Sequence, residues 1–538
     1  MKVENQLIVN SEKGNLLNEL ITSIRECQQF YFSVAFINFS GLQLLLDSFK
    51  EAEKAGIKGK ILTSTYLNFT ESKALKKIKE FNNIELKVFV TDKEMGFHTK
   101  AYIFEYRDYF KVIIGSSNIT QSALKSNVEW NVEVISKENT AFMQDVLKEY
   151  QKLWENSTEA DSFFISRYEI FLSKLVKKNI YPQVIYEDLA YIIPNRMQKR
   201  AMENLARLRS YGEKKALVIA ATGTGKTYMS AFDVKNFKPK KLLFIVHREE
   251  ILKKAKETFE NLIVNEPITF GLLTGNHKEK EVDFLFSTIQ TLSKCYKEFS
   301  REEFDYLIID EAHHATSPSY QEVLDYFTPK FTLGMTATPE RSDGRNVFDL
   351  FDNNVAIEVR LHEALDEELV IPFHYFGITD IEEVDLSDVD IDDIAEITKR
   401  LKVNERVDFI IEKMNFYGHD GNKRKCLGFC ASKEHARYMS EEFNKRGYKS
   451  ICLTGEDPVD NRSQIIERLE DESDELQFIF TVDIFNEGVD IPSVNLVLML
   501  RPTNSPIVFI QQLGRGLRKH QGKSFLTVLD FIGNHSKT

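Results

Sequence analysis

ALVIAATGTGKTYMSAF, residues 216–232, joins an apolar strand to the start of a helix through a loop of small residues. Gly223 and Gly225 let backbone amides converge on phosphate oxygens, because glycine carries no Cβ to block that approach. Lys226 follows at the position that reaches the β and γ phosphates of a nucleotide. The stretch therefore predicts a nucleotide-binding loop. Its predicted members are Thr222, Gly223, Thr224, Gly225, Lys226 and Thr227.

An acidic motif follows in FDYLIIDEAHHAT, residues 304–316, where an apolar strand ends in two carboxylates. Asp310 can hold Mg²⁺ together with the hydroxyl of Thr227, while Glu311 orients and deprotonates the attacking water. The loop and the acidic motif together predict ATP hydrolysis with Mg²⁺ as the cofactor. The prediction stands although Ala220 occupies the first position of the loop pattern, where glycine is usual.

The region from 195 to 530 carries further motifs in a fixed order. They are FIVHREEIL at 244–252, STIQTL at 287–292, GMTATPER at 334–341, TVDIFNEGVDIP at 481–492 and QQLGRGLRKH at 511–520. The set resembles a superfamily 2 helicase or DNA translocase with two RecA-like domains. The resemblance implies that Gln198 recognises adenine and that Arg518, with Arg515, acts as an arginine finger. It also implies nucleotide contacts by His313, Gly488, Asp490 and Gln511.

The same resemblance implies which residues hold the nucleic acid. Thr336-Ala337-Thr338 matches the family's coupling motif between hydrolysis and the grip on nucleic acid. The motifs leave open whether such a motor separates strands or only moves along duplex DNA. The implied nucleic-acid contacts are His247, Arg248, Thr288, Gln290, Thr291, Ser432, Thr454, Gly455 and Thr481.

A different chemistry is indicated near the start of the chain by GFHTKAYIFEYRDYFKVIIGSSNIT, residues 96–120. His98 and Lys100 are two apart in a predicted strand, so both side chains leave the same face. Ser116 and Asn118 follow the next predicted strand. A neutral imidazole can attack phosphorus to form a phosphohistidine, while Lys100 and Asn118 stabilise the developing charge. The stretch predicts a phosphodiester-cleaving site that needs no metal.

This pattern resembles the phospholipase D superfamily, whose motif is His-x-Lys, an acid and then Gly-Ser-x-Asn. Glu105 occupies the expected acid position, and Asp108 is a second candidate for that role. Glu133 resembles a carboxylate that lies near the catalytic histidine in related nucleases, although it fits an ordinary strand residue equally well. The predicted catalytic residues of this site are His98, Lys100, Glu105, Ser116, Asn118 and Glu133.

Phospholipase D chemistry needs two histidines, one to attack phosphorus and one to protonate the leaving group. The other His-x-Lys of the chain, His535-Ser536-Lys537, has no room for a following Gly-Ser-x-Asn. We therefore expect a homodimer, with the two copies of His98 near the two-fold axis.

Composition limits the possible partners. The net charge of −12 argues against a protein that coats nucleic acid by bulk charge, so any DNA contact is expected to be local. The sequence has no run of roughly 18 apolar residues and no signal-peptide pattern, and its five cysteines form no even framework. We expect a cytoplasmic protein with reduced thiols, without a membrane partner or a structural metal.

Apolar strands alternate with helical patterns along the chain, which predicts an α/β protein with parallel sheets in the RecA-like domains. The expected domains are a phospholipase D-like domain (1–150), a helical connector (151–190), a first RecA-like domain (191–365), an acidic connector (366–403) and a second RecA-like domain (404–538).

The combined architecture resembles the type IV, modification-dependent restriction endonucleases of the SauUSI kind. The resemblance implies ATP-dependent cleavage of double-stranded DNA that carries 5-methyl- or 5-hydroxymethylcytosine. A C-terminal domain reads the modified base in that family, and we expect it beyond residue 538. Two alternatives remain open: a repair or antiphage nuclease-helicase that is indifferent to base modification, and a DNA translocase whose phospholipase D-like domain only dimerises and binds.

Overall fold

The computed structural model describes residues 5–11, 14–91, 96–177, 193–263, 267–339, 347–386, 389–390, 393–482, 491–502, 516–520 and 522–532. The chain divides into two compact units, Met1–Leu189 and Ala190–Thr538. Among the described helices, none combines the length and the apolar character needed to span a bilayer.

The first unit is a mixed sheet with helices on both faces. Its strands are β1 (Gln6–Ile8), β2 (Gln29–Val34), β3 (Lys58–Ser64), β4 (Ile84–Phe89), β5 (Lys100–Glu105), β6 (Phe110–Gly115), β7 (Asn131–Ser136) and β8 (Thr158–Glu159). Its helices are α1 (Leu16–Glu26), α2 (Phe39–Gln43), α3 (Leu46–Ala55), α4 (Ser72–Ile78), α5 (Gln121–Lys125), α6 (Ala141–Glu155) and α7 (Ser162–Lys177), with a 3₁₀ turn at Tyr66–Asn68.

The strand order is β1-β7-β6-β5-β2-β3-β4-β8. The central strands β2, β3 and β4 run parallel, whereas all other pairs are antiparallel. In the β5–β6 register, Ala101 lies opposite Ile114. The start of β5 and the end of β6 therefore lie side by side, which brings the two halves of the His-x-Lys and Gly-Ser-x-Asn pattern together.

The second unit holds two lobes. The first has strands β9 (Lys215–Ala220), β10 (Leu242–Val246), β11 (Phe270–Leu273), β12 (Phe284–Thr288), β13 (Tyr306–Asp310), β14 (Phe331–Thr336) and β15 (Val355–Val359). Its helices are α8 (Arg196–Ser210), α9 (Lys226–Phe237), α10 (Glu249–Leu262), α11 (Ile289–Cys295), α12 (Pro318–Tyr326), α13 (Val347–Leu350) and α14 (Leu361–Asp366), with 3₁₀ turns at Tyr296–Glu298 and Ala312–Thr316.

The second lobe has strands β16 (Phe373–Thr379), β17 (Cys426–Phe429), β18 (Ser450–Leu453), β19 (Phe478–Thr481), β20 (Leu496–Met499) and β21 (Leu526–Ile532). Its helices are α15 (Ile394–Leu401), α16 (Asn404–Tyr417), α17 (Lys433–Lys445) and α18 (Val459–Glu470).

Both sheets of the second unit are parallel throughout, in the orders β11-β12-β10-β13-β14-β9-β15 and β16-β21-β20-β17-β19-β18. Helices cover both faces of such a sheet, so its inner strands read as continuous apolar runs. Leu242–Val246 is fully buried in this way. The prediction of an α/β protein with parallel sheets is confirmed.

Two predicted boundaries differ from the structure. The helical connector expected at 151–190 is part of the first unit as far as it is described, because β8 pairs with β4 and the Tyr168 hydroxyl donates to the Thr70 carbonyl at 3.0 Å. In the acidic connector expected at 366–403, β16 pairs along its whole length with β21. That segment therefore contributes a strand to the second lobe.

Candidate functional sites

The first candidate site lies where β5 begins. His98 is exposed, whereas Lys100 is 8% exposed. The Lys100 ammonium lies 2.9 Å from His98 Nδ1 and 3.1 Å from Nε2, and it also donates to the His98 carbonyl at 3.1 Å. Burial lowers the pKa of Lys100, and the nearby Glu129 carboxylate opposes that shift. The Tyr66 ring packs edge-on against the imidazole. An exposed nucleophile thus sits beside a buried cation.

The Gly-Ser-Ser-Asn turn follows β6 at the same end of the sheet. Gly115 is required there, because a Cβ would lie 2.2 Å from the Trp130 carbonyl oxygen. The Tyr102 hydroxyl donates to the Ser117 carbonyl at 2.9 Å, which anchors the turn. Asn118 accepts the Phe36 amide proton through Oδ1 at 3.2 Å. The amide nitrogen of Asn118 is therefore the group that can donate to a phosphate oxygen.

Glu129 is a site residue that the sequence reasoning missed. Its carboxylate accepts a hydrogen bond from Ser116 Oγ, which in turn accepts the Trp130 amide proton at 3.2 Å. The predicted Glu133 lies two residues into β7, opposite Ile113, and pairs with Lys111 at 3.4 Å. Of the two carboxylates, Glu129 is therefore the one beside the site. The feature that could have identified Glu129 is its position just before β7, across from the Gly115–Ser116 turn.

Glu105 does not lie at this site either. It ends β5, five residues after Lys100, which is about 16 Å at the rise of an extended strand. There it accepts a hydrogen bond from the Tyr31 hydroxyl at 2.9 Å. Asp108 lies in the turn that follows, at the same far end of the strand. The structure thus contradicts the expectation that either acid acts next to His98, because the length of β5 separates them.

Replacing Glu129 with glutamine is expected to lower the phosphodiester cleavage predicted for this site roughly 10- to 100-fold, since a hydrogen bond to a charged group contributes about 1.5–3 kcal/mol. Glu105→Gln is the matched control: glutamine still accepts from Tyr31, so cleavage should stay near the wild-type rate. Nicking of supercoiled plasmid measures both. Equal losses in the two variants would contradict the assignment of Glu129 to the site.

The second candidate site is the loop after β9. Gly223 and Gly225 both have φ of +89°, a region that favours glycine. A Cβ on Gly225 would lie 2.6 Å from Gln198 Nε2. Lys226 opens α9 and donates to the Ala220 carbonyl at 2.9 Å. The loop therefore has the backbone shape that a phosphate-binding loop requires.

Gln198 contacts this loop directly. It lies in the first turn of α8, where its side chain and that of Asn195 cap the helix reciprocally. Its Nε2 donates to the Gly225 carbonyl at 2.9 Å, and Asn195 donates to the Thr224 carbonyl at 3.2 Å. The residue predicted to recognise adenine is thus held against the predicted nucleotide loop.

The acidic motif ends β13, next to the loop. Asp310 is 6% exposed, and burial together with the charge of Glu311 raises its pKa to about 6, while Lys226 opposes the shift. Glu311 adopts a left-handed backbone with φ of +52°. Such strain costs on the order of 1–3 kcal/mol and is concentrated at functional sites. His313 Nδ1 lies 3.0 Å from Thr336 Oγ1 and 3.5 Å from the Glu311 carboxylate.

A cavity of about 500 Å³ lies between the two lobes. Arg518 enters it from the second lobe, and a Cβ on Gly223 would lie 3.3 Å from its Cγ. Thr227 and Asp310 both line the cavity and offer the oxygen ligands that Mg²⁺ prefers. The residues therefore fit a nucleotide with its metal. Four further predicted nucleotide contacts lie outside the described residues: Gly488, Asp490, Gln511 and Arg515.

The predicted nucleic-acid contacts lie at or just after the carboxyl ends of the strands. In the first lobe, His247 and Arg248 follow β10, Thr288 ends β12, and Gln290 and Thr291 lie in α11. Thr288 Oγ1 donates to Thr291 Oγ1 at 3.1 Å. Gln290 is exposed and can contact a strand.

The predicted nucleic-acid contacts of the second lobe differ in how exposed they are. Gly455 is exposed, but Thr454 is 5% exposed and donates to Asp457, while Thr481 is completely buried. Ser432 caps α17 and accepts a hydrogen bond from Thr398 at 2.8 Å. Ser432 is partly exposed, and Gly455 is the most exposed of these four residues.

Three family models match the chain. The model described as cardiolipin synthase, PLD-like domain, matches residues 20–154. The model of the type III restriction enzyme res subunit matches residues 191–341, and that of the helicase conserved C-terminal domain matches residues 405–520.

Similar proteins cover mainly the second unit. A Saccharomyces cerevisiae protein with the provisional name ATP-dependent helicase IRC3 is 27% identical over 60% of this chain and 49% of its own length. The type I restriction enzyme EcoAI endonuclease subunit of Escherichia coli is 24% identical over 65% of this chain and 48% of its own. The match thus spans about half of each of these relatives.

One solved structure shares the fold at a TM-score of 0.50. It is a fragment provisionally assigned as the HsdR subunit of a type I restriction enzyme from Vibrio vulnificus YJ016, 24% identical, with 64% of this chain and 65% of that chain covered. The chain thus combines an N-terminal phospholipase D-like domain with two RecA-like domains that match a restriction-enzyme model and a helicase C-terminal model.

Proposed function

We propose that the chain is an ATP-driven DNA translocase that also cleaves phosphodiesters, and that it acts as a homodimer on double-stranded DNA with modified cytosine. The proposal rests on the observation that His98, Lys100 and Asn118 lie at the same end of the first sheet. The same chain holds a nucleotide loop opposite Arg518. A motor on the same chain favours DNA over lipid as the substrate of the His98 site.

In the proposed cleavage, the His98 imidazole attacks phosphorus and forms an N–P bond as the P–O bond to the leaving alkoxide breaks. A protonated His98 of a second copy supplies the proton to that alkoxide. Lys100 and Asn118 donate to the anionic oxygens as charge builds up on them. Water then breaks the N–P bond and restores His98. No step of this sequence requires a metal.

In the proposed ATPase, Lys226 binds the terminal phosphates, Glu311 orients and deprotonates the attacking water, and Arg518 stabilises charge on the leaving phosphate from the other lobe. Thr227 and Asp310 would hold Mg²⁺, which when bound neutralises phosphate charge. Closure and reopening of the lobes around each ATP would move the protein along DNA.

The site needs a second histidine, and the first unit has a surface that suits a second copy. Leu7, Val132 and Ile114 lie side by side in register on β1, β7 and β6, and they are 50%, 43% and 42% exposed. Trp130 is 67% exposed and Val128 is 96% exposed. These two residues flank Glu129 and continue the apolar row. Apolar side chains clustered in this way are typical of protein interfaces.

Val132→Lys is expected to convert a dimer into a monomer, because it buries an unpaired ammonium in that interface. DNA cleavage should fall with dimerisation, while ATP hydrolysis per chain is retained. Light scattering gives the mass, and plasmid nicking gives the activity. Ile170→Lys is the matched control, since Ile170 is also exposed but lies on α7. A Val132→Lys dimer with full cleavage would exclude this surface.

Matched plasmids, with and without 5-methylcytosine, test the proposed function in the presence and absence of ATP. ATP-dependent cleavage confined to the methylated plasmid is the expected result. Cleavage that ignores methylation would favour a repair or antiphage nuclease. Absence of cleavage under all conditions, with DNA-stimulated ATP hydrolysis intact, would overturn the nuclease and leave a motor with a binding domain.

A further inference from the structure

Three imidazole rings form a row across the first lobe, at the carboxyl ends of neighbouring strands. His247 follows β10, and His313 and His314 lie in the 3₁₀ turn after β13. The ring centroids of His247 and His314 are 4.5 Å apart, and those of His314 and His313 are 4.2 Å apart. At these separations the rings touch, so none can move without displacing its neighbour.

One end of the row meets the catalytic residues of the proposed ATPase. His313 is 8% exposed, and its Nδ1 lies 3.5 Å from the Glu311 carboxylate and 3.0 Å from Thr336 Oγ1. The Thr338 amide also donates to Thr336 Oγ1, at 3.2 Å. His313 thus contacts both the carboxylate of Glu311, whose backbone is left-handed, and the hydroxyl of Thr336.

The other end of the row meets the proposed DNA-contacting segment. Both ring nitrogens of His247 are shielded from solvent, and the next residue, Arg248, is the N-cap of α10. A strand bound at Arg248 would therefore contact the start of this helix, one residue after His247. Since His314 lies between His247 and His313, its ring joins this segment to the contacts of Glu311.

We propose that His314 is a positioning residue that couples DNA contact at His247–Arg248 to the placement of Glu311. The inference rests on the proposed function, in which DNA stimulates ATP hydrolysis. His314 is only partly buried and is not among the residues that line the nucleotide cavity. Its removal should therefore separate DNA stimulation from basal hydrolysis, whereas loss of a purely structural side chain would lower both together.

The test compares His314→Ala and His314→Phe with the wild type in the full chain. Alanine is expected to lower the stimulation of kcat by duplex DNA at least about fivefold, within the range of measured coupling energies. Basal ATP hydrolysis and the Kd for DNA should stay near the wild-type values. Phenylalanine preserves a ring between His247 and His313, so it should restore most of the stimulation. His362→Ala, on the exposed face of α14, is the matched control.

Two results would overturn the coupling role while the motor stands: unchanged stimulation in His314→Ala, or a parallel loss of basal and stimulated hydrolysis. Equal stimulation losses in the alanine and phenylalanine variants would overturn transmission by ring packing. Wild-type hydrolysis that ignores DNA would instead overturn the proposed motor itself, and the coupling with it.

Discussion

Lys226→Ala is expected to lower ATP hydrolysis at least about 100-fold, because removal of a preorganised donor from a transition state costs that much in other enzymes. Lys226 opens α9 behind the glycine loop and lines the cavity that Arg518 enters from the other side. Without its ammonium, the terminal phosphates lose the lysine cation that the first lobe supplies. Phosphate release measured with saturating ATP and DNA tests this expectation.

Lys330→Ala is the matched control for that variant. Lys330 is exposed and pairs with Asp305 at 2.7 Å, just before β13 begins and therefore at the opposite end of the strands from the loop. Its loss should leave hydrolysis unchanged. Thermal unfolding of both variants checks that the second unit is intact. Wild-type hydrolysis by folded Lys226→Ala would refute the assignment of the nucleotide site.

His98→Ala is expected to lower DNA cleavage at least about 100-fold, since no other side chain near Lys100 in the described structure replaces a nucleophilic imidazole. DNA-stimulated ATP hydrolysis should be unchanged, because His98 belongs to the first unit and the nucleotide loop to the second. Plasmid nicking and phosphate release on the same preparation measure both activities.

Lys100→Met extends this test to the cation of the site, with Lys54→Met as its control. Lys54 is exposed in the last turn of α3, whereas Lys100 is buried against His98. Lys100→Met should abolish cleavage, and Lys54→Met should not. Cleavage that survives in both His98→Ala and Lys100→Met would assign it to another site or to a contaminating nuclease.

The fold and the position of the glycine loop between β9 and α9 could be predicted because their signals are local. A strand buried on both faces is a continuous apolar run, as at Leu242–Val246, and a glycine loop between a strand and a helix has few other uses. The two halves of the phospholipase D-like pattern are also local, and the β5–β6 hairpin brings them together.

Carboxylates of the first site could not be assigned in the same way. Whether Glu129 or Glu133 approaches Ser116 depends on where β7 begins, which the cross-strand register of Gly115 with Asn131 decides. Whether an acid after His-x-Lys reaches the site depends on the length of β5, and six residues carry Glu105 away from it. Register and strand length are tertiary properties, and a motif pattern does not report them.

The boundary errors have a different cause. Residues 366–403 are acidic enough to suggest a solvated linker, but β16 is an edge strand with several side chains in contact with solvent. The acidic residues next to β16 suggested a linker, so the sequence did not indicate this strand. Similarly, α7 packs on the first unit through Tyr168, and nothing in its helical periodicity identifies that partner.

The pairing of β16 with β21 constrains the order in which the protein matures on the ribosome. At about 5–20 residues per second, the roughly 150 residues between these strands take on the order of 10 s to synthesise. Until β21 emerges, β16 has no partner and β20 keeps an open edge. The first unit, which ends at Leu189, can therefore fold on the ribosome while the sheet of the second lobe is still incomplete.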